Sequence, residues 1–457
     1  MHRKHLCSTT PGLRLASSGT ESRSGIRTVF VRKGGRRLSA EPERVRHLPD
    51  AARCARSSRA DAMSGVCPEV EHAGHCPHEA VILVSVPAVQ SNELRNSMID
   101  DVFVVDATTH SYNYLPDNNA AGHYSEGVTN AIFGAHYALS PAGYRIPREH
   151  YVRDWGVDEA ASMMFLESDY DIACHHVLAL TAYKDGGSGL AKAREARKRW
   201  PQRFQVYAGV DPMFPEAAVD SLEQQVEELA PIGLKLYPNS YSASGVRGWH
   251  MDDPEIAFPL FQKCLDLGIK VVAIHKAVPL GPVPMEHYRM DDIDAAADAF
   301  PDLQFEVVHG GAAFVEETAF QLARFSNVWV NLEITASLAC AKPAAFVRIM
   351  ADLVSQAGPD ALQRIIWATG ASVWHPDPPL QWFWEKFGFS EQQREGEGLP
   401  EITPAVKRAI LGQNWLSMHG LDEAVLAAGI AGDEFAIERA RGKADPYSTT
   451  LSKGVAE

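Results

Sequence analysis

The sequence predicts an α/β fold in which eight parallel strands and their helices close into a (β/α)8 barrel, preceded by a disordered N-terminal extension. From residue 100 onward, short runs rich in β-branched residues alternate with longer amphipathic stretches. Eight such repeats fit a closed barrel better than an open doubly wound sheet. The first strand runs into DATTHSYNY, not into the glycine-rich phosphate loop that an open nucleotide-binding sheet favours.

The repeats assign strands and helices in order along the chain. Candidate strands are residues 102–107, 172–180, 204–210, 232–237, 269–275, 303–309, 327–333 and 364–369. Candidate helices are residues 155–168, 188–200, 215–230, 254–267, 289–300, 313–324 and 341–356. The segment between the first strand and the first helix is too long for an ordinary connection. We expect it to cover the mouth of the barrel.

Histidines end three of the predicted strands: His110 in VFVVDATTH, His275 in IKVVAIH and His309 in DLQFEVVH. Because side chains alternate along a strand, each histidine continues a mostly apolar row that would fill the barrel. Each would emerge at the carboxyl end, where barrel enzymes place their chemistry. A neutral imidazole there can ligate a metal or move a proton, although a single one can also merely cap its strand. Three at equivalent positions favour a functional site.

Charge and cysteine content limit the classes of function. The 457-residue chain has a net charge of -15, yet residues 1–60 hold fourteen Lys and Arg against four Asp and Glu, which leaves -25 for the rest. An acidic body disfavours nucleic acid as a partner, and no run reaches the roughly 18 apolar residues that cross a membrane. Of the seven cysteines, four precede residue 80. This pattern favours a reducing, cytoplasmic compartment over a disulfide framework.

The first part of the chain differs in composition from the rest. It is rich in Arg, Ser and Gly and has no sustained hydrophobic period. Three interpretations stay open: a disordered tail, an Arg/Ser-rich transit peptide, and a translated stretch upstream of a start at Met98. We therefore divide the chain into an extension (residues 1–97), a barrel (98–425) and a C-terminal tail (426–457).

The order of these motifs resembles the amidohydrolase superfamily over residues 100–425. It is most similar to the amidohydrolase-related branch, which contains metal-dependent hydrolases and the aminocarboxymuconate-semialdehyde and related decarboxylases. The motifs that carry the resemblance are VVDATTH, GLKLYP, VVAIHKA, LQFEVVHGG and RIIWATG. The resemblance implies a TIM-barrel enzyme with a divalent metal ion, zinc being the expected one. It also implies a small-molecule substrate and a homodimer.

The resemblance further implies which residues form the site. In the family the first strand ends in His-x-His and both histidines bind the metal, whereas here that pair is Thr108 and His110. His275 matches a second metal ligand, and His309 matches a ligand or proton-transfer residue, so both are candidate catalytic residues. Gly370 stands where the family has a ligating aspartate on the eighth strand. Two of the four expected ligand positions are thus altered.

Replacement ligands could come from His309, from Glu333 after the seventh strand, or from His375 in the loop after the eighth. Zinc usually takes three protein ligands and a water of lowered pKa, so the two remaining histidines would need at least one of them. Lys235 lies on the fourth strand, where some members carry a metal-bridging carboxylated lysine. We favour a buried lysine paired with a carboxylate at this position.

Two long loops would supply the substrate pocket. The segment after the first strand offers Tyr112, Asn113, Arg153 and Trp155, and the loop at residues 240–254 offers Arg247. Arginines would suit a carboxylate-bearing substrate, and aromatic side chains would suit a planar body.

Together these features predict a metal-dependent hydrolase that attacks a small organic substrate with activated water. The metal would lie at His110 and His275, and His309 would protonate the leaving group or orient the nucleophile. The alternative is a decarboxylase of the same branch, in which the metal or a histidine–arginine pair would hold the carboxylate. Because Thr108 and Gly370 replace ligands, a barrel that has lost catalysis and serves as a binding protein stays open.

Overall fold

The computed structural model describes Ile99 and residues 102–448, all of which belong to the compact unit Val84–Glu457. The extension predicted at residues 1–97 lies outside the described residues. In the part of the chain that is described, no helix is both long and apolar enough to cross a membrane.

Ten strands form the sheets of the described chain. They are β1 (Val105–Thr109), β2 (Ile172–His176), β3 (Phe204–Gly209), β4 (Gly233–Leu236), β5 (Asn239–Ser242), β6 (Gly245–Gly248), β7 (Val271–His275), β8 (Gln304–Val308), β9 (Val328–Asn331) and β10 (Ile365–Ile366). Eight of them form one parallel sheet in the order β1-β2-β3-β4-β7-β8-β9-β10, and β5 and β6 pair as an antiparallel hairpin. All eight predicted barrel strands are confirmed, with ends that shift by a few residues.

The sheet closes because β1 exchanges backbone hydrogen bonds with the segment that directly follows β10. Ala107 N donates to Trp367 O over 3.0 Å, and Gly370 N donates to Thr108 O over 2.9 Å. A parallel bridge also joins Thr109 to Ala371. The carboxyl ends of all eight strands therefore surround one mouth of a closed barrel.

Helices surround the barrel and cover its ends. They are α1 (His123–Leu139), α2 (Arg148–Tyr151), α3 (Val157–Phe165), α4 (Leu190–Arg199), α5 (Pro215–Leu229), α6 (Ala257–Asp266), α7 (Ile293–Ala299), α8 (Val315–Arg324), α9 (Thr335–Ala341), α10 (Pro343–Ala357), α11 (Asp377–Lys386), α12 (Glu391–Glu397), α13 (Pro404–Arg408), α14 (Asn414–His419), α15 (Glu423–Ile430) and α16 (Glu434–Arg439). The seven predicted helices correspond to α3 through α8 and to α10.

The long segment after β1 contains a helix that the sequence pattern did not predict. Helix α1 begins after Gly122, which offers no capping side chain, and it contains two glycines, so its start signal and its propensity are weak. It is held by packing: Val128, Ile132 and His136 are buried on one face. His136 Nδ1 lies 2.9 Å from Val373 O, which ties the helix to the loop after β10.

The predicted C-terminal tail begins inside α15 and is ordered against the barrel as far as residue 448. Arg203, just before β3, binds Asp433 through two hydrogen bonds of 2.6 and 2.9 Å. Phe435 of α16 packs on Phe165 of α3 with ring centroids 5.0 Å apart. Residues 426–448 therefore contribute to the core of the described chain.

Candidate functional site

The carboxyl ends of three barrel strands bring the three histidines into one buried cluster. His110 follows β1, His275 ends β7 and His309 follows β8, and none of them is more than 4 % exposed. At His309 the backbone turns sharply away from the sheet with a φ of 79°, and Gly310 and Gly311 continue the turn with positive φ. The imidazole of His309 thereby faces the neighbouring strands.

His275 and His309 bind each other directly. His275 Nε2 lies 2.8 Å from Val278 O, so this nitrogen carries the proton and donates it to the carbonyl. His275 Nδ1 is then left to accept from His309 Nε2, over 2.9 Å. Burial lowers the pKa of His309 to about 4 and holds the pKa of His275 well below its ordinary value. Burial therefore disfavours the protonated form of both rings.

His110 forms the second pair of the cluster, with Glu333. The two side chains meet at His110 Nε2 and Glu333 Oε1, 3.1 Å apart, and both are buried. Because the carboxylate only accepts, Nε2 carries the proton of the ring. His110 Nδ1 is buried and has no hydrogen-bond partner among the described residues. Glu333 thus fixes the tautomer and orientation of His110 and leaves one ring nitrogen available.

Glu333 occupies the space that a side chain at position 370 would need. A Cβ atom built on Gly370 would lie 2.8 Å from Glu333 Oε1 and 2.9 Å from its Cγ, which is closer than real Cβ contacts. Gly370 also has a φ of 74°, a conformation that favours glycine. The carboxylate that the resemblance places on the eighth strand is therefore supplied from the end of β9.

Lys235 of β4 brings a positive charge to the same carboxylate. Its Nζ lies 3.8 Å from Glu333 Oε2, and the side chain is 1 % exposed. Neither Lys235 Nζ nor Glu333 Oε2 has a hydrogen-bond partner among the described residues. The structure therefore confirms a buried lysine paired with a carboxylate. Both groups can still form hydrogen bonds with a further partner.

The charges of the cluster depend on one another. Burial alone would raise the pKa of Glu333, but the neighbouring His309, Lys235 and His110 hold it well below its usual range. Burial lowers the pKa of Lys235, and the negative charge of Glu333 opposes that effect. The carboxylate is thus ionised, and it stabilises the ammonium form of the lysine.

A layer of buried polar side chains supports the cluster from within the barrel. Asn331 Oδ1 accepts from Glu333 N over 2.8 Å, and Asn331 Nδ2 donates to Thr108 Oγ1 over 2.8 Å and also to Glu306. Asp106 accepts from Thr369 through N and Oγ1. Burial raises the pKa of Asp106 and of Glu306 to about 7 each.

Aromatic side chains close the cluster above and beside the histidines. The ring of Tyr112 meets that of His110 with centroids 5.2 Å apart, and Tyr237 stacks on His275 at 4.7 Å. The ring of His176, at the end of β2, lies 5.9 Å from that of His110. Tyr112 and Tyr237 are buried. Of the predicted substrate contacts, Tyr112 is the one that borders the histidine cluster.

Several predicted site residues have other partners. In His375, Nε2 binds Glu167 over 3.0 Å and Nδ1 accepts from Asp377 N over 3.3 Å. These contacts engage both ring nitrogens of His375, and its role as a metal ligand stays a prediction. Its ring packs against Tyr144 and Tyr447.

The remaining residues that are predicted to contact substrate belong to the loops and do not contribute to the histidine cluster. Arg153 binds Glu159 over 2.9 Å and stacks on Trp155, and Trp155 is a core side chain. Asn113 accepts from Leu115 N within its own turn. Arg247 is exposed on the β5–β6 hairpin. The buried cation of the cluster is a lysine and not one of these arginines.

Sequence reasoning missed two residues of the cluster. Asn331 holds Glu333 in place, and its signal was the two-residue spacing that puts both side chains on one face of the strand. His176 is buried with both ring nitrogens unpartnered among the described residues, and its signal was a histidine pair within the predicted strand 172–180.

The side chains present do not fit a divalent metal ion. Among the described residues, no group of three or more His, Cys, Asp or Glu side chains is placed to hold one. Thr108 Oγ1 is engaged by Asn331 over 2.8 Å, and Gly370 offers no donor. His275 Nδ1 is engaged by His309 Nε2. The expected zinc site is therefore not assembled by these residues.

Comparisons with known proteins identify a family and similar folds. The sequence matches the family model described as Amidohydrolase over residues 135–414. No curated protein matches the chain. An uncharacterized TIM-barrel protein from Bordetella bronchiseptica is 18 % identical with a TM-score of 0.48, and the match covers 70 % of this chain and 100 % of that one.

Two further solved structures are similar at lower scores. A 2,6-dihydroxybenzoate decarboxylase from Rhizobium is 14 % identical with a TM-score of 0.46, and the match covers 70 % of this chain and 99 % of that one. A dihydroxybenzoic acid decarboxylase from a Polaromonas species, solved with bound manganese and an inhibitor, is 15 % identical with a TM-score of 0.43. That match covers 71 % of this chain and 98 % of the other.

We predict that Gly370→Asp and Glu333→Gly are coupled. The first change forces a Cβ to within 2.8 Å of Glu333 Oε1, so it should lower the free energy of unfolding by about 2–5 kcal/mol. In a Glu333→Gly background the same change should cost about 1–3 kcal/mol less. Gly268→Asp is the matched control, because Gly268 has a φ of 77° and no atom near its Cβ position. If Gly370→Asp and Gly268→Asp lowered the free energy of unfolding by the same amount, Glu333 would not fill the space beside Gly370.

We also predict that the protein loses stability as the pH falls from about 6.5 to 4. Four histidines have a pKa lowered by burial, to about 4 for His136 and His309 and to about 3 for His175 and His419. In the unfolded chain they titrate near pH 6.5, so the unfolded state binds more protons in this range. Each then contributes up to about 1.4 kcal/mol per pH unit.

Two carboxyls act in the opposite direction, because the raised pKa values of Asp106 and Glu306 let the folded state keep their protons below pH 7. Four histidines outweigh two carboxyls, so the net effect of acid should be destabilising. Denaturant unfolding at about pH 7 and pH 5 measures it. An unchanged or higher free energy of unfolding at the lower pH would contradict this balance.

Proposed function

The chain belongs to the amidohydrolase family, a family of enzymes, and on that premise we propose that it decarboxylates a small organic acid at the carboxyl end of its barrel. The observation that carries this proposal is the ammonium of Lys235, which is buried beside the His110–Glu333 and His275–His309 pairs and has no hydrogen-bond partner among the described residues. A cation with open donors in a site of low dielectric constant binds a carboxylate strongly. Lys235 thus takes the role that the sequence assigned to arginines.

The residues of the cluster divide the reaction between them. Lys235 Nζ binds the substrate carboxylate, while the negative charge of Glu333, 3.8 Å from the ammonium, repels that carboxylate and favours its loss as neutral carbon dioxide. The carbon–carbon bond breaks, and its electron pair stays on the substrate carbon. That carbon then takes a proton from Lys235, whose pKa is lowered by burial, and the amine regains a proton from water after product release.

The histidines position these groups. His110 holds Glu333 Oε1, and His309 Nδ1 lies 4.0 Å from Glu333 Oε2. Tyr112 and Tyr237 provide flat apolar walls beside the histidines, which suits an aromatic or conjugated acid. The cluster is almost fully buried, so the segment after β1 that carries Tyr112 must move to admit the substrate.

Hydrolysis is the second candidate, and one specific observation favours it. His110 Nδ1 is buried and has no hydrogen-bond partner in the described part of the chain, and Glu333 fixes the tautomer of the ring. A neutral imidazole oriented by a carboxylate is the arrangement that activates a nucleophilic oxygen as general base. In that reaction His110 Nδ1 would take a proton from water, and Lys235 would stabilise the oxyanion.

The decarboxylase proposal can be tested by assaying the protein with a panel of aromatic and conjugated carboxylic acids and following isotope labels into the product. The active acid should release one carbon dioxide per turnover, and in deuterated water the product should carry one deuterium on the carbon that held the carboxylate. Oxygen from labelled water should not enter the product. Label entering the product without carbon dioxide release would contradict decarboxylation and select hydrolysis.

Substitutions at Lys235 separate binding from proton transfer. Lys235→Met should lower kcat/KM at least about 1000-fold, because it removes both the anion contact and the proton donor. Lys235→Arg keeps the positive charge but gives up its proton far less readily, so kcat should fall while KM changes little. If Lys235→Met retained wild-type kcat/KM, Lys235 would have no part in the reaction.

A further inference from the structure

We propose that Lys235 and Glu333 take the place of the divalent metal ion of this barrel site, so that the wild-type protein excludes such an ion. The inference concerns the ion content of the site and does not rest on the proposed reaction. It is tested by metal binding, so its failure and the failure of the decarboxylase proposal are distinguishable. Three structural observations support it.

The first observation is the position of the ammonium. Lys235 Nζ lies 3.8 Å from Glu333 Oε2, the carboxylate oxygen for which the described residues provide no hydrogen bond. A divalent ion held by that oxygen would lie within a few ångströms of the ammonium in a buried region, where repulsion between like charges is strong. The ammonium already neutralises the carboxylate, so the ion would add uncompensated buried charge.

The second observation is that both altered ligand positions have a structural use in this chain. Thr108 Oγ1 accepts from Asn331 Nδ2 over 2.8 Å, and the same Asn331 holds the backbone of Glu333. Gly370 leaves room for the Glu333 carboxylate, because a Cβ there would collide with it. The two changes therefore help to hold Glu333 where it meets Lys235.

The third observation is that few ligand atoms remain free. His110 Nε2 is engaged by Glu333, and His275 uses both nitrogens, for Val278 O and for His309. Within the described part of the chain, His110 Nδ1 and Glu333 Oε2 are the unpartnered atoms of these side chains. His176 also has unpartnered ring nitrogens, but no three of the described His, Cys, Asp and Glu side chains are placed together to hold a metal ion, and a zinc site usually takes three ligands from the protein.

Metal titration of the purified full-length protein tests the proposal. Wild type, Lys235→Met and the charge-keeping control Lys235→Arg are dialysed against zinc and, separately, manganese, and the bound metal is measured by atomic emission. Wild type and Lys235→Arg should bind less than about one tenth of an equivalent at this site. Lys235→Met, which keeps the length of the side chain without its charge, should bind at least about 100-fold more tightly than wild type. A Glu333→Gln change in the Lys235→Met background should abolish the gained binding.

Each outcome decides the question. Stoichiometric binding by wild type that Glu333→Gln removes would overturn the proposal, including binding that appears only when bicarbonate is added to carboxylate Lys235. If Lys235→Met stayed as poor in metal as wild type, Lys235 would not be what excludes the ion, and the proposal would also fail. Thermal unfolding reports whether each variant is folded. Lys235→Gln replaces Lys235→Met if the latter is not folded, and the wild-type titration can overturn the proposal by itself.

Discussion

The carboxylate of Glu333, held between His110 and Lys235, is the interaction on which the rest of the site depends. A buried charge is tolerated only when it is paired and hydrogen-bonded. Here the two carboxylate oxygens of Glu333 have different partners: the imidazole N–H of His110 binds Oε1, and the ammonium of Lys235 lies near Oε2. Removing any one of the three groups leaves a buried partner uncompensated, so the identities of His110, Lys235 and Glu333 are coupled to one another.

The barrel itself positions this carboxylate. β9 ends at Asn331, whose side chain binds the backbone N–H of Glu333. The next residue, Ile334, has a φ of 64°, which is costly for a β-branched side chain and persists only where the surroundings enforce it. Gly370 closes the barrel against Thr108 and leaves the space that Glu333 fills. Barrel closure and construction of the site therefore use the same residues.

The sequence predicted the features that follow from local pattern. Alternation of strands and helices located all eight barrel strands, and strand-end position located His110, His275 and His309. It did not predict that Glu333 fills the place beside Gly370, because that depends on the direction of a side chain from a neighbouring strand. Equally, the pairing of His375 with Glu167 joins residues far apart in the sequence.

The arginines lie apart from the cluster for a related reason. Arg153 and Arg247 are predicted to bind substrate because they lie in long loops, yet the partner of a loop side chain depends on the fold: Arg153 binds Glu159 and stacks on Trp155. Lys235, by contrast, lies inside the barrel on β4, where a long side chain has no route to solvent. Its charge must therefore be satisfied within the site.

Anomalous diffraction from crystals soaked in manganese tests the central claim most directly, because it locates both the ion and the Glu333 side chain. We predict no anomalous peak within ligand distance, about 2.0–2.3 Å, of His110, His275 or Glu333. The Glu333 carboxylate should lie beside Gly370 and within ion-pair distance of Lys235. A peak bound by Glu333 together with two of the histidines, with Lys235 displaced, would contradict the account.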